Sequence, residues 1–319
     1  MTKAKISGEV LSRLLSILSD ANLEQLDSKS LLEKITSVVD SSEDIYVAVD
    51  SVKPSKNFNY DNLNLSRSSL LSESSMEKLN VMLPWSSISE VGIDKYLGTA
   101  WSARKRAAIA TFPDPLVSKL NNKLPLKDFR ILEVGCFEGH HTASLAALSK
   151  SVVAFDGRLE NVIKTLTHCW LMGIEQQVRV ECIDIETLNV KDTLATLGVN
   201  WQFDLVHHRG VLYHLSDPCK HLSDLAKVTS KHIYLHTQIA NTEQAKDKYQ
   251  TEFGEIDAFF YKEPKVGFSP FSGLTPKAVW LTKESLSYVL ISLGFKNINI
   301  LNEKTERNGV RIELIASRA

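Results

Sequence analysis

The sequence predicts an α/β fold: a largely parallel, Rossmann-like sheet covered by helices, closed by a terminal antiparallel hairpin and preceded by a helical N-terminal extension. Two observations carry this. Beyond Asp128, apolar strand-like runs at 130–134, 151–155, 178–183, 203–207 and 231–236 alternate with helical patterns at 141–149, 159–172, 218–228 and 283–293. Such alternation builds a parallel sheet whose crossover helices cover both faces. The chain then changes in kind, because NINILNEKT and VRIELIA are strand-like runs separated by a segment containing Asn308-Gly309. Asn-Gly is a strong hairpin signal, so adjacent antiparallel strands close the sheet.

Ahead of this domain, at 128–319, the pattern is looser. Ile6, Val10, Leu11, Leu14, Leu15 and Leu18 form the stripe of an amphipathic helix, and Ser30–Val39 reads as a second. This extension, 1–50, either packs on its own domain or supplies a homodimer contact or a substrate lid, and the pattern does not choose between them. Residues 51–80 are a Ser/Asn-rich linker. The segment 81–127 holds VMLPW (81–85), KYLGTAWSARKRAAIA (95–110) and a short helix after Pro115, and reads as a helical approach to the active site. No internal repeat is present.

The chain carries 37 basic and 38 acidic residues, a formal net charge of -1. Nothing in that balance favours a phosphate backbone or an anionic membrane as partner. Cys136, Cys169, Cys182 and Cys219 stand at wide spacings with no C-x-x-C, which argues against a zinc ribbon or a disulfide framework and fits a reducing cytoplasm. Charges run through the first thirty residues and no run approaches the length of a membrane span, so neither a signal peptide nor a membrane segment is expected.

The segment Arg130-Ile-Leu-Glu133-Val-Gly135-Cys136-Phe-Glu-Gly139 leads from a buried strand through glycines into a helix. Glycines belong there because the backbone turns tightly and admits a ligand where a Cβ would intrude. Asp156 ends the next strand, where a carboxylate can grip ribose hydroxyls, with Gly157 beside it. Asp184 and Ile185 close the strand after that, near the place of an adenine ring. Two cofactors compete for such a site. NAD brings a pyrophosphate that needs bare amides and no nearby negative charge. S-adenosylmethionine has no phosphate but carries a sulfonium and an ammonium, which Glu133 and Glu138 suit.

Glu133-Val-Gly-Cys-Phe-Glu-Gly139 resembles motif I of class I S-adenosylmethionine-dependent methyltransferases, E/D-x-G-x-G-x-G, with Phe137 in place of the middle glycine. Phe-Asp204-Leu-Val-His-His-Arg-Gly-Val-Leu-Tyr-His214-Leu-Ser-Asp-Pro218 resembles their fourth-strand motif. Its G-V-L-Y-H-L-x-D-P wording is shared with the tRNA wobble-uridine (carboxy)methyltransferase group. The segment Gly273–Leu286, followed by Gly294-Phe295, is similar to the late region of the same set. The resemblance covers about 80–319 and implies the seven-stranded methyltransferase sheet with S-adenosylmethionine as cofactor.

Methyl transfer from a sulfonium is an in-line displacement, accelerated chiefly by positioning. For a hydroxyl acceptor a base must remove a proton, and His207, His208 and His214 are the candidates. Adjacent strand residues face opposite ways, so His207 and His208 cannot both face the site. Tyr213 is a candidate for substrate binding, and packing and capping are the plain alternative for Tyr213 and His214. Arg209, Arg158 and Lys262 are candidates for an acidic substrate group, or for surface salt bridges. The aromatic stretch Phe259-Phe-Tyr261, Phe268, Phe271 and Trp280 lies in an expected lid at 240–280. Its rings either stack on a substrate or pack on one another. No H-E-x-x-H appears and the carboxylates near the histidines are claimed by the nucleoside, so no metal is expected. The leading expectation is methylation of oxygen or nitrogen on a small molecule, such as a specialised metabolite or sugar. The others are a tRNA wobble-base modifier and a binding protein that keeps the fold without turnover.

Overall fold

The computed structural model describes residues 67–92, 95–98, 109–187, 189–263, 271–306 and 309–318. The expected helices at 6–18 and 30–39, with the homodimer contact assigned to them, lie outside these residues, as does the linker up to 66.

In chain order the elements are α1 (Glu73–Met82), β1 (Ile88–Gly92), β2 (Lys95–Leu97), β3 (Ile109–Ala110), α2 (Pro115–Lys123), β4 (Arg130–Val134), α3 (His140–Leu148) and β5 (Ser151–Asp156). Then come α4 (Leu159–Leu171), β6 (Val178–Cys182), α5 (Val190–Thr196), β7 (Phe203–Arg209), α6 (Pro218–Ala226), β8 (Thr229–Ile239), β9 (Asp247–Thr251) and β10 (Gly254–Lys262). The chain ends with β11 (Lys277–Leu281), α7 (Lys283–Ser292), β12 (Asn297–Glu306) and β13 (Gly309–Ser317). Seven strands form one mixed sheet in the order β12-β13-β8-β7-β4-β5-β6, the sheet the sequence predicts. β12 and β13 pair antiparallel, and β13 runs antiparallel to β8, so the terminal hairpin closes one edge.

The chain divides into two compact units, Met1–Pro125 with Cys136–Cys182, and Leu126–Gly135 with Ile183–Ala319. In the first, β5 and β6 pair parallel, and β5 is apolar from Val152 to Phe155 because it is covered on both faces. Asp114 starts α2 by accepting from the amides of Leu116 and Val117, with Pro115 at the first helical position. In the second unit, β4, β7 and β8 are parallel neighbours, and Asp217 caps α6 directly ahead of Pro218.

Two segments differ from the sequence reading. Within 81–127, read as helical, Ile88–Gly92, Lys95–Leu97 and Ile109–Ala110 form a small sheet in the order β2-β1-β3, while 99–108 lies outside the described residues. Much of the expected lid is regular too, since β9, β10 and β11 make an antiparallel sheet. The cue was period two: Ile256 and Ala258 are buried between exposed Glu255 and Asp257. Residues 264–270, with Phe268, lie outside the described residues.

Three wholly buried histidines link this packing to pH. Burial pushes His168 down to about 4, against the opposing pull of Glu138. Burial, then Lys220, pushes His221 down to about 3, and burial, then His221, holds His208 well below the usual imidazole range. The folded chain therefore binds fewer protons than the unfolded chain below the ordinary imidazole value near 6.5. This contribution is complete above that value and is lost as pH falls toward the folded values, at about 1 kcal/mol per pH unit for each histidine. Urea unfolding should show a marked loss of stability between about pH 7 and pH 5. Equal stability across that window would contradict the neutral, buried assignment.

Candidate active site

In the first unit the loop after β4 sets the geometry. Phe137 has φ 51° and Gly139 has φ 83°, both left-handed, and a Cβ on Gly139 would lie 2.8 Å from Cα of Thr165. Phe137 thus meets the backbone demand of the glycine it replaces, at a cost of about 1–2 kcal/mol for a residue with a Cβ. Three of the loop amides are spent internally. Cys136 N donates to the Phe155 carbonyl at 3.0 Å, Phe137 N to Asp156 Oδ2 at 3.0 Å, and Gly139 N to the Cys136 carbonyl at 2.9 Å. A pyrophosphate needs such amides bare, and with three of them engaged the loop suits a ligand without one.

Asp156 ends β5 with Oδ1 accepting from the Arg158 amide (2.9 Å) and Asn161 Nδ2 (3.0 Å), and Oδ2 from Phe137. Burial raises its pKa, and these bonds oppose the rise. An ionised carboxylate offers about four acceptor positions, so one remains after three donors. Gly157 lies in the bend that follows, and Arg158 caps α4. Cys136 is buried, with Thr165 Oγ1 donating to its sulfur at 3.3 Å.

Glu138 corrects the sequence reading. It was expected to lend negative charge to a bound cation, but it is wholly buried and its oxygens face the protein. Oε1 accepts from Ser86 N (2.6 Å) and Lys164 Nζ (3.1 Å), and Oε2 from Ser87 N (3.0 Å) and Ser87 Oγ (2.5 Å). Lys164, also without exposed surface, reaches the Pro84 carbonyl at 2.7 Å and Glu160 at 2.6 Å. Asp114, which the sequence reading passed over, lies 3.5 Å from His141 Nε2.

In the second unit, Gly135 is left-handed (φ 82°), and a Cβ there would fall 2.3 Å from Val211 Cγ2. Glu133 on β4 is opposite His207 on β7, with Oε1 3.6 Å from Nδ1 and both side chains buried. The His207 ring stacks on Tyr234 with centroids 5.0 Å apart. Tyr234 accepts from Arg209 at 3.0 Å and donates to Glu313 at 2.7 Å, so Arg209 is engaged inside the fold. Strand alternation sends His208 to the other face, where its Nε2 lies 3.1 Å from Nε2 of buried His221. One of those nitrogens donates and the other accepts.

His214, in a short turn after β7, has Nδ1 2.6 Å from Glu263 Oε1. Its side chain keeps 17% of its surface exposed against 3% for Glu263. A Cβ on Gly273 would meet the His214 carbonyl at 2.9 Å, so only glycine fits beneath this pair. Trp280 Nε1 donates to the Tyr213 carbonyl at 2.8 Å, and Tyr261 stacks on Trp280 at 4.4 Å. The structure thus gathers Tyr213, His214, Tyr261 and Trp280 and adds Glu263, which no sequence spacing announced. Asp184 and Ile185 lie just after β6; Asp184 Oδ1 accepts from the Glu186 amide at 3.0 Å, and Glu186 is held by Ser216 and Thr275.

Residues 100–269, more than half of the chain, match the family model for a methyltransferase domain. The chain belongs to the methyltransferase-domain family. Among solved structures, this methyltransferase chain is similar to the N-terminal domain of EvdMO1 with SAH bound, at 25% identity and a TM-score of 0.64 over 78% of this chain and 98% of that one. The same domain in the presence of SAH and D-fucose aligns at 27% identity and a TM-score of 0.55, over 64% and 82%. Two proteins named tRNA U34 carboxymethyltransferase also match. The one from Campylobacter fetus subsp. fetus (strain 82-40) is 30% identical over 110 residues, 34% of this chain and 35% of that protein. The one from Methylococcus capsulatus (strain ATCC 33009 / NCIMB 11132 / Bath) is 36% identical over 102 residues, 32% and 29%. The match therefore spans about a third of the length of these curated relatives. Among the described residues, no helix is long and apolar enough to cross a membrane.

Lys164→Met leaves the Glu138 carboxylate buried beside an apolar group. It should cost about 3–5 kcal/mol of stability. Urea denaturation measures this directly, and a loss under about 1 kcal/mol would mean that the pair does not hold the loop.

Proposed function

We propose that this methyltransferase transfers the methyl group of S-adenosylmethionine to a hydroxyl oxygen of a small ring-bearing acceptor such as a sugar. The observation that carries the choice of oxygen is the 2.6 Å contact between His214 and Glu263. A hydroxyl must lose a proton as it is methylated, and a partly exposed imidazole braced by a buried carboxylate is suited to take it. An ionised carboxylate only accepts hydrogen bonds, so Nδ1 carries the proton and Nε2 presents the lone pair. Bound S-adenosylmethionine would supply the electrophilic methyl group on a sulfonium whose sulfur leaves as a neutral thioether. His214 Nε2 takes the hydroxyl proton as the oxygen–carbon bond forms and the carbon–sulfur bond breaks, while Glu263 keeps the ring in the productive tautomer.

For the donor, the loop Cys136–Gly139 and Asp156 in the first unit fit a nucleoside without phosphate: three loop amides are engaged within the protein and one carboxylate acceptor position remains. Gly157 adjoins that carboxylate. Glu133 and Gly135 in the second unit keep the donor-binding role that the motif resemblance gives them, and Asp184 and Ile185 the one that their place at a strand end gives them. Tyr213, Tyr261 and Trp280 offer apolar faces on which a sugar or other ring can lie. The sugar reading gains support from EvdMO1, whose N-terminal domain was crystallised in the presence of D-fucose. A tRNA acceptor rests on matches to about a third of the curated relatives and lacks a basic charge excess.

Calorimetry with S-adenosylhomocysteine should give one site per chain, weakened about 10-fold or more by Asp156→Ala. Unchanged affinity would remove Asp156 from the donor site. In methyl-transfer assays over a panel of hexoses, deoxyhexoses and tRNA transcripts, a sugar should be the substrate. His214→Ala should lower kcat about 10²-fold or more, and Glu263→Gln about 10-fold, with homocysteine-nucleoside affinity intact. Methylation of tRNA alone, or full activity in His214→Ala, would overturn this reading.

A further inference from the structure

We propose that Asp114, His140 and His141 form a binding site for a first-row divalent transition metal ion. The three side chains each offer one ligand atom, and these atoms lie within 4.8 Å of one another. They come from two places in the first unit: Asp114 stands at the head of α2, and the histidines open α3, directly after the glycine loop.

The cluster is fixed from behind. Oδ1 of Asp114 is occupied by the amides of Leu116 (2.7 Å) and Val117 (3.3 Å), which leaves Oδ2 directed at His141 Nε2, 3.5 Å away. The Asp114 amide donates to Ser144 Oγ at 2.8 Å, and that hydroxyl donates to the His140 carbonyl at 2.9 Å. A relay of two hydrogen bonds therefore ties the carboxylate's backbone to that of the first histidine. Asp114 and His141 are buried, and half-buried His140 leaves the cluster a way in.

Metal–ligand bonds of about 2.0–2.2 Å place neighbouring ligand atoms about 3–3.5 Å apart. The Asp114–His141 separation already lies at that limit. Two imidazoles with one carboxylate suit zinc, iron, cobalt or manganese in preference to calcium or magnesium. Three protein ligands leave at least one coordination position open to water or an oxygen ligand. The expectation of no metal counted only carboxylates near the nucleoside, and Asp114 was not among them.

The test uses the full chain, stripped with a chelator and titrated with cobalt(II) chloride while the visible d–d absorption is followed, then with zinc chloride by calorimetry. One ion per chain should bind at micromolar affinity or tighter. Asp114→Asn, which keeps a residue able to cap α2, and His140→Ala should each weaken binding about 10-fold or more without changing the thermal midpoint of the metal-free chain. His232→Ala, away from the cluster, should bind as the parent does. Absence of a cobalt band, or stoichiometric binding that survives both Asp114→Asn and His140→Ala, would overturn the proposal.

Discussion

Glu138 surrenders all contact with water, and a carboxylate does so only where donors replace the solvent it loses. Here the donors come from two distant stretches of chain, Ser86 and Ser87 ahead of β1 and Lys164 on α4. The residue sits inside the glycine loop, so the same bonds that neutralise it also fix that loop against the helix behind and the segment before. His168 adds a further tie by donating Nδ1–H to the Glu138 carbonyl at 3.1 Å. Burying such a pair costs several kcal/mol per ion before attraction repays it, and replacement by apolar residues is often neutral or stabilising elsewhere. What the pair supplies here is a definite position for the loop.

That position explains how Phe137 can occupy a left-handed conformation. Its amide is held by Asp156 and its carbonyl accepts from Thr165 Oγ1 at 3.1 Å, so both ends of the residue are anchored. Backbone strain of this order persists where surrounding contacts over-determine it. The consequence reaches the carboxylate as well, because Asp156 is oriented by the very residue that departs from the family's pattern. A glycine at 137 would make the turn without strain but would give the loop more freedom when unfolded.

Strands and hairpin were legible because their signals are periodic. β5 holds the apolar run Val152–Phe155, β4 and β7 carry apolar residues at Ile131, Leu132, Val134 and at Phe203, Leu205, Val206, and the Asn-Gly pair lies between two strand-like stretches, so the strands and the hairpin could be read from pattern. Alternation also separated His207 from His208 correctly. Direction was not legible. Glu133 and Glu138 are both acidic residues beside glycines, yet one faces His207 across neighbouring strands and the other turns into Lys164. Nor was Glu263, 49 positions from His214, because only the folding of β10 and the turn after β7 brings them together. The sheet at 240–280 was hidden by the opposite fault: its aromatic and Pro/Gly content drew attention away from the period-two burial of Ile256 and Ala258.

Within the second unit, two histidine–carboxylate pairs are candidates for the proposed base, and their surroundings differ. His207 and Glu133 are almost wholly enclosed, 3.6 Å apart, with the imidazole face covered by Tyr234. Proton transfer to that ring would require the acceptor to enter the packed sheet. His214 and Glu263 lie 2.6 Å apart, the carboxylate buried and the imidazole partly open. Charge formed on His214 is therefore compensated at hydrogen-bond distance, while the ring stays reachable. A base must be both accessible to the proton it removes and stabilised once it holds that proton, and the open His214 ring beside a buried carboxylate at 2.6 Å is why the proposed base is placed there.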